Sequence, residues 1–165
     1  MWGTVFRYVR PAARERPVSR RVMRGFQPAH LRKLRKERGY SQGELARAAG
    51  IGTTTLYHWE AESKSPQVDL LARVAAALGA SVEQLVDVPE ADRYPGDWRV
   101  LRGMTQPQLG RATGLSTPLV GRVERGEIPL SDDVATRLAE ALAISPTQLR
   151  AAYDRARQRP LGEPA

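Results

Sequence analysis

The chain has 165 residues and a net charge of +8, with no cysteine. That length holds one ordinary domain or two very small ones. The missing cysteines exclude disulfides and thiolate metal sites, no apolar run approaches a transmembrane helix, and the arginine-broken start lacks a secretory core, so a cytoplasmic protein without cofactor or metal is expected.

The excess charge sits at the front. Residues 1–25 carry seven arginines and one glutamate, while the rest is nearly balanced. A flexible basic arm over 1–25 is expected, suited to a polyanionic partner. A solvated tail, or a natural start at Met23, are the blander alternatives. The first helix follows, with Leu31, Leu34 and Arg35 on one face and a stop at Gly39. Ser41 caps the second helix, and Glu44 three residues on completes a capping box. That helix turns Leu45 and Ala48 inward and ends at Gly50. Thr53 opens the third, as its N-cap or first residue, with Leu56 and Trp59 on the core face. After Pro66 comes an amphipathic fourth helix through Leu70, Leu71, Val74 and Leu78. Residues 81–85 suggest a short fifth. The stretch DVPEADRY, residues 87–94, reads as a linker. Fully extended it spans about 26–29 Å.

The pattern then repeats. SQGELARAAGIGTTTLYHWE at 41–60 returns as TQPQLGRATGLSTPLVGRVE at 105–124. Aligned without gaps, about a third of the positions in 35–85 and 99–149 are identical, which marks an internal repeat. Thr105 and Gln108 renew the capping box, and Leu115, Val120, Val123, Val134, Leu138 and Leu142 take the core positions. Two units over 26–86 and 95–150, and a C-terminal tail over 151–165, are expected. The central helices are about eight residues long, too short to persist without packing. A small residue in the second helix (Ala46 or Gly110), a glycine in the turn and an apolar residue after it form a helix-turn-helix pattern.

This frame, Q-x-x-L-A/G-x-x-x-G-[IL]-x-T-x-x-[LV]-x-x-[WV]-E, resembles the Cro/repressor-type (XRE) helix-turn-helix family of bacterial and phage regulators, and it does so twice. The resemblance implies an all-α fold of two tandem lambda-repressor-like bundles and a double-stranded DNA partner. It implies that the third helix enters the major groove while the second crosses the backbone. Gln42 and Gln106 are then phosphate contacts, and Thr53, Thr54, Tyr57 and His58 face base edges. Helical periodicity independently puts those four opposite Leu56 and Trp59. The second reading head exposes Thr117, Pro118, Gly121 and Arg122, with Arg125 nearby, and Lys64 is a phosphate candidate after the first. The family also pairs the arginine of helix 1 with the glutamate ending helix 3, here Arg35–Glu60 and Arg99–Glu124, as structural ion pairs.

The repeated residues are thus frame and the changed ones are the reading heads. Competing readings stay open. Trp59 belongs to the core rather than to a base stack, by its phase with Leu56. His58 as a metal ligand lacks partners, since His30 is the other histidine. Gly121 weakens a helix by about 1 kcal/mol relative to alanine and presents no side chain, so the second unit is either a DNA reader or a module for a protein partner or homodimer. No nucleophile, triad or phosphate loop supports an enzyme. The expectation is a DNA-binding transcription regulator, a repressor associated with the nucleoid; the alternative is a protein-interaction module.

Overall fold

A computed structural model describes residues 23–160. Among them the chain is all-α, with no strand. The helices are α1 (Pro28–Glu37), α2 (Gln42–Ala49), α3 (Thr53–Glu60), α4 (Val68–Ala77), α5 (Pro95–Leu101), α6 (Gln106–Thr113), α7 (Thr117–Glu124), α8 (Asp132–Leu142) and α9 (Pro146–Gln158). Two 3-10 turns, Val82–Gln84 and Glu90–Asp92, lie between α4 and α5. No helix is long and apolar enough to cross a membrane among the described residues.

Local chemistry sets most helix ends. Ser41 accepts from the Glu44 N–H while the Glu44 side chain accepts from the Ser41 N–H, and Thr105 and Gln108 do the same for α6. Each box satisfies donors that a short helix otherwise leaves open. Gly50 and Gly114 close α2 and α6 in the left-handed region, at φ 62° and 69°. The third helix opens at Thr53 as expected, with Thr53 its first residue rather than its N-cap. Its N-cap is Gly52, with no capping bond. Ser116 is the cap of α7 instead, accepting from Leu119 N–H.

Packing also corrects the inward face of α2. Ala48 is exposed, and Leu45, Ala46 and Ala49 are buried. At the matching helix contact in the second copy, a Cβ on Gly110 would lie 2.7 Å from the Leu115 carbonyl oxygen. The α6–α7 turn is closed more tightly there than alanine permits. The expected fifth helix over 81–85 shrinks to the 3-10 turn Val82–Gln84. Its counterpart in the second copy grows instead. α9 runs on to Gln158 and buries Ala152, Tyr153 and Ala156. Residues 151–158 are therefore helix rather than tail; residues 161–165 lie outside the described residues.

The arm and the linker are corrected too. Residues 1–22 lie outside the described residues, but 23–25 are part of the folded body. Met23 N–H donates to Ser65 Oγ, and Asp87 N–H donates to the Gly25 carbonyl at 2.8 Å. Phe26 forms an isolated antiparallel bridge with Val86. The linker is held down rather than extended. Val88 is buried, Arg93 Nε donates to the Val88 carbonyl, and Gln148 Nε2 donates to Glu90 Oε1. The turn after α5 packs on α4, where a Cβ on Gly103 would come within 2.8 Å of Ala72 Cβ. The core is accordingly continuous across both copies, from Leu31 through Val88 and Trp98 to Leu149.

Candidate functional site

Each copy presents its third helix on a platform locked from beneath. In the first, Arg35 Nε and Nη2 donate to the two oxygens of Glu60 at 2.6 and 2.9 Å. Its Nη1 donates to the Tyr40 carbonyl at 2.8 Å. One guanidinium thus ties α1 to the end of α3 and to the turn before α2. The second copy repeats this with Arg99, Glu124 and the Met104 carbonyl, at 2.6, 3.2 and 2.7 Å. Both glutamates are buried. Burial alone would raise the Glu60 carboxyl, but bonds from Arg35 and Gln42 outweigh it and hold it below the usual carboxylate range.

Gln42 and Gln106 have a role that the sequence reading missed. Gln42 Nε2 donates to Glu60 Oε2 at 2.8 Å, and Gln106 Nε2 to Glu124 Oε2 at 2.7 Å. The first residue of α2 or α6 is therefore pinned to the end of α3 or α7, so each lock is a triad. A second clamp was also missed. Arg73 donates to the Gly50 carbonyl, and Arg137 Nη1 donates to the Thr113 carbonyl at 3.0 Å. The signal for both clamps was the identity of these residues between the copies.

On the outer side of α3, Thr53, Thr54 and Tyr57 are exposed, and Tyr57 keeps 55% of its surface in solvent. Exposure at that level is notable because no other large hydrophobic side chain among the described residues is so open. Leu56 and Trp59 are buried on the opposite side. His58 is half-buried and turned toward the following loop. Its Nδ1 lies 2.8 Å from Ser63 Oγ, whose hydroxyl is within 3.2 Å of the His58 carbonyl. Lys64 is exposed in the same loop.

The second face is flatter. Pro118 and Arg122 are exposed and Thr117 is half-buried. Gly121 stands where the first copy has Tyr57, and it is buried. A Cβ there would lie 3.1 Å from Arg125 Nη1 and 3.5 Å from Gln106 Nε2. Arg125 lies across the glycine and is held by Glu127 through two bonds of 2.6 and 3.0 Å. This pairing raises the Arg125 pKa and lowers that of Glu127. The two faces therefore differ in relief as well as in residue type.

Residues 31–85 match the helix-turn-helix family, and residues 97–152 match a second helix-turn-helix domain. Among curated proteins, the chain is similar to the HTH-type transcriptional regulator SinR of Bacillus subtilis (strain 168), 36% identical over 67 residues. SinR of Bacillus licheniformis is 34% identical over 67 residues. Each alignment covers 40% of this chain and 60% of the relative, so the chain spans less than two thirds of the length of those regulators. The cryptic phage CTXphi transcriptional repressor RstR of Vibrio cholerae is 26% identical over 101 residues, covering 59% of this chain and 91% of RstR.

Proposed function

The chain belongs to the Cro/repressor-type helix-turn-helix proteins and carries two helix-turn-helix units, and on that premise we propose that it is a sequence-specific double-stranded DNA-binding transcription regulator, acting as a repressor on the bacterial nucleoid. The observation that carries this reading is the duplicated lock. In each copy an Arg–Glu–Gln triad fixes a short helix by its far end and leaves the opposite face to solvent. A rigid eight-residue helix of about 12 Å suits a major groove about 12 Å wide.

The roles follow from chemistry. Thr53 and Thr54 offer a hydroxyl and a methyl to base edges, Tyr57 a flat apolar surface, and Arg122 a bidentate donor for guanine. Gln42 and Gln106 each have a second amide hydrogen beyond the one given to glutamate. With the open N–H groups of Gln42 and Gly43 at the start of α2, and that of Gln106 alone at the start of α6, where Pro107 has none, that hydrogen suits a phosphate. Phosphate contacts set register and the exposed face of α3 reads sequence. A repressor needs no more than this, since occupying an operator is sufficient to exclude another protein.

A second reading concerns the second unit alone. Gly121 leaves α7 without the projecting side chain that α3 has, which favours a flat contact with a protein partner or a second copy of the chain. Selection of bound duplexes from a random DNA pool tests the main reading. Enrichment of a defined site, with binding that weakens as salt rises, is the expected result. Recovery of no preferred sequence, together with tight homodimerisation or partner capture, would favour the second.

A further inference from the structure

The extension of α9 beyond the repeat has no counterpart in the first copy, where the chain turns into the linker after the 3-10 turn Val82–Gln84. The extra turns end against the reading helix of the second unit. A Cβ on Gly126, in the turn after α7, would lie 2.8 Å from the backbone N and Cα of Arg157. Glycine is required there both for this contact and for its φ of +68°. Tyr153 is buried, and its hydroxyl donates to the Ile128 carbonyl at 2.6 Å while accepting from Arg157 Nη1 at 3.0 Å. Arg159 Nη1 donates to the carbonyl of Arg125, the residue that caps α7, at 3.2 Å.

These contacts gather Arg122, Arg125, Arg157 and Arg159 around the C-terminal end of α7. Two carboxylates stand among them: Glu127, which binds Arg125 directly and also feels the charges of Arg122 and Arg159, and Glu124, which acts on Arg125 but is bound by Arg99 and Gln106. Asp154 stands one turn back on the exposed side of α9. Basic residues in a last helical turn offset the helix dipole. The dipole does not explain why this turn is packed onto the end of a reading helix. A helix whose first turns meet bases and whose length matches the groove width ends at the groove wall, where the phosphates are.

We propose that the last turn of α9 is a phosphate clamp of the second unit, in which Arg157, beside Arg125 and Arg159, contacts the DNA backbone flanking the groove that α7 enters. This rests on the DNA-binding reading above. It assigns DNA contacts to a segment outside the helix-turn-helix frame and gives the second unit a backbone grip that the first lacks. Arg157 contributes affinity without base preference, because phosphates are the same at every step.

The test uses the full chain and a duplex selected from the random pool. Because the protein has no cysteine, Gln158→Cys gives a unique attachment point for a DNA-cleaving iron chelate. Strand cleavage confined to the backbone beside one half of the selected site, the half whose base preference Arg122→Ala relaxes, is expected. Absence of cleavage, or cleavage beside the other half, overturns the clamp. Arg157→Gln should lower the slope of log affinity against log salt by about 0.9, the value of one phosphate contact, with base preferences unchanged. Arg157→Lys should restore the slope. An unchanged slope in a folded Arg157→Gln chain also overturns the clamp, and the cleavage pattern decides if that variant does not fold. Failure of the unaltered chain to bind any duplex would instead overturn the DNA-binding reading itself.

Discussion

Glu60 is the residue on which the first unit turns, because it accepts from Arg35 and Gln42 and its backbone carbonyl accepts from Arg32 at 2.5 Å. Its side chain is 4% exposed and that of Arg35 10%. Removing one member strands the other charge away from water. Glu60→Ala should therefore destabilise the unit by about 3 kcal/mol. Arg35→Ala should cost a similar amount, and the double variant less than the sum. Urea denaturation of the four chains measures the coupling, and strict additivity would show that the two side chains do not interact. The same residue sets an acid limit. At neutral pH the Glu60 carboxylate is ionised whether the chain is folded or not, and the whole contribution of the lock is present. As pH falls through the ordinary value of 4.5 the unfolded chain takes up the proton first. Stability then declines until the folded carboxyl is itself protonated. Glu60→Gln should flatten this decline in the urea midpoint between pH 5 and pH 3, as about one proton fewer is taken up on unfolding. A variant whose midpoint falls as steeply as that of the unaltered chain would place the acid sensitivity elsewhere.

Among the elements, those with strong local signals were legible. Capping boxes at Ser41 and Thr105, and glycine stops at Gly50 and Gly114, depend on side chains and φ values that the residues themselves impose. The inward face of α2 was not legible, because the run Ala46, Arg47, Ala48, Ala49 has no size contrast for periodicity to register. The extension of α9 was hidden for another reason. The repeat template ends at Leu149, and the buried Ala152, Tyr153 and Ala156 are separated by charged residues. Position 143 carries a testable cost. Ala143 closes α8 at φ 52°, and the first copy has Gly79 at the same point with φ 63°. A left-handed alanine costs roughly 1–2 kcal/mol in local strain, partly offset because glycine loses more freedom on folding. Ala143→Gly should stabilise the chain by about 0.5–1 kcal/mol and raise its melting temperature. A lower melting temperature would mean that the alanine methyl packs well enough to outweigh the strain.

At the scale of the molecule, the repeat was visible in the sequence and the seam was not. Much of the seam is made by residues outside the aligned stretches 35–85 and 99–149. Arg24 Nη1 meets Asp97 Oδ2 at 2.5 Å and the Asp92 carbonyl at 2.9 Å, and its guanidinium lies 4.6 Å from the Tyr94 ring centre. Arg93 covers Trp98 at 4.4 Å, and Arg155 donates to the Arg93 carbonyl. Since 23–25 belong to this seam, the basic arm proper is 1–22. Deleting 1–22 should weaken DNA binding and reduce its salt slope while leaving the preferred site unchanged. An unchanged slope would show that these residues are dispensable for binding. The seam also replaces the linker as the element that sets the distance between α3 and α7, the reading heads of the proposed function. An extended linker of about 26–29 Å would let the heads slide among half-site spacings. A shared core with a pinned linker allows one. A selected site read by both heads should then have two unlike halves at a single spacing. Each base pair inserted between them moves one half by about 3.4 Å and turns it by about 34°, so one or two insertions should abolish the contribution of one half. On the parent site, replacing Thr53, Thr54 and His58 by alanine should relax preference in one half only. Arg122→Ala should relax it in the other, by about 1–3 kcal/mol if the contact to guanine is bidentate. Binding of each variant to duplexes with base substitutions and with inserted base pairs measures both effects. Equal affinity across all spacings would refute a fixed seam. Loss of both halves on mutating α3, with none on mutating Arg122, would make the first unit the sole reader within a dimer and leave α7 to a protein contact.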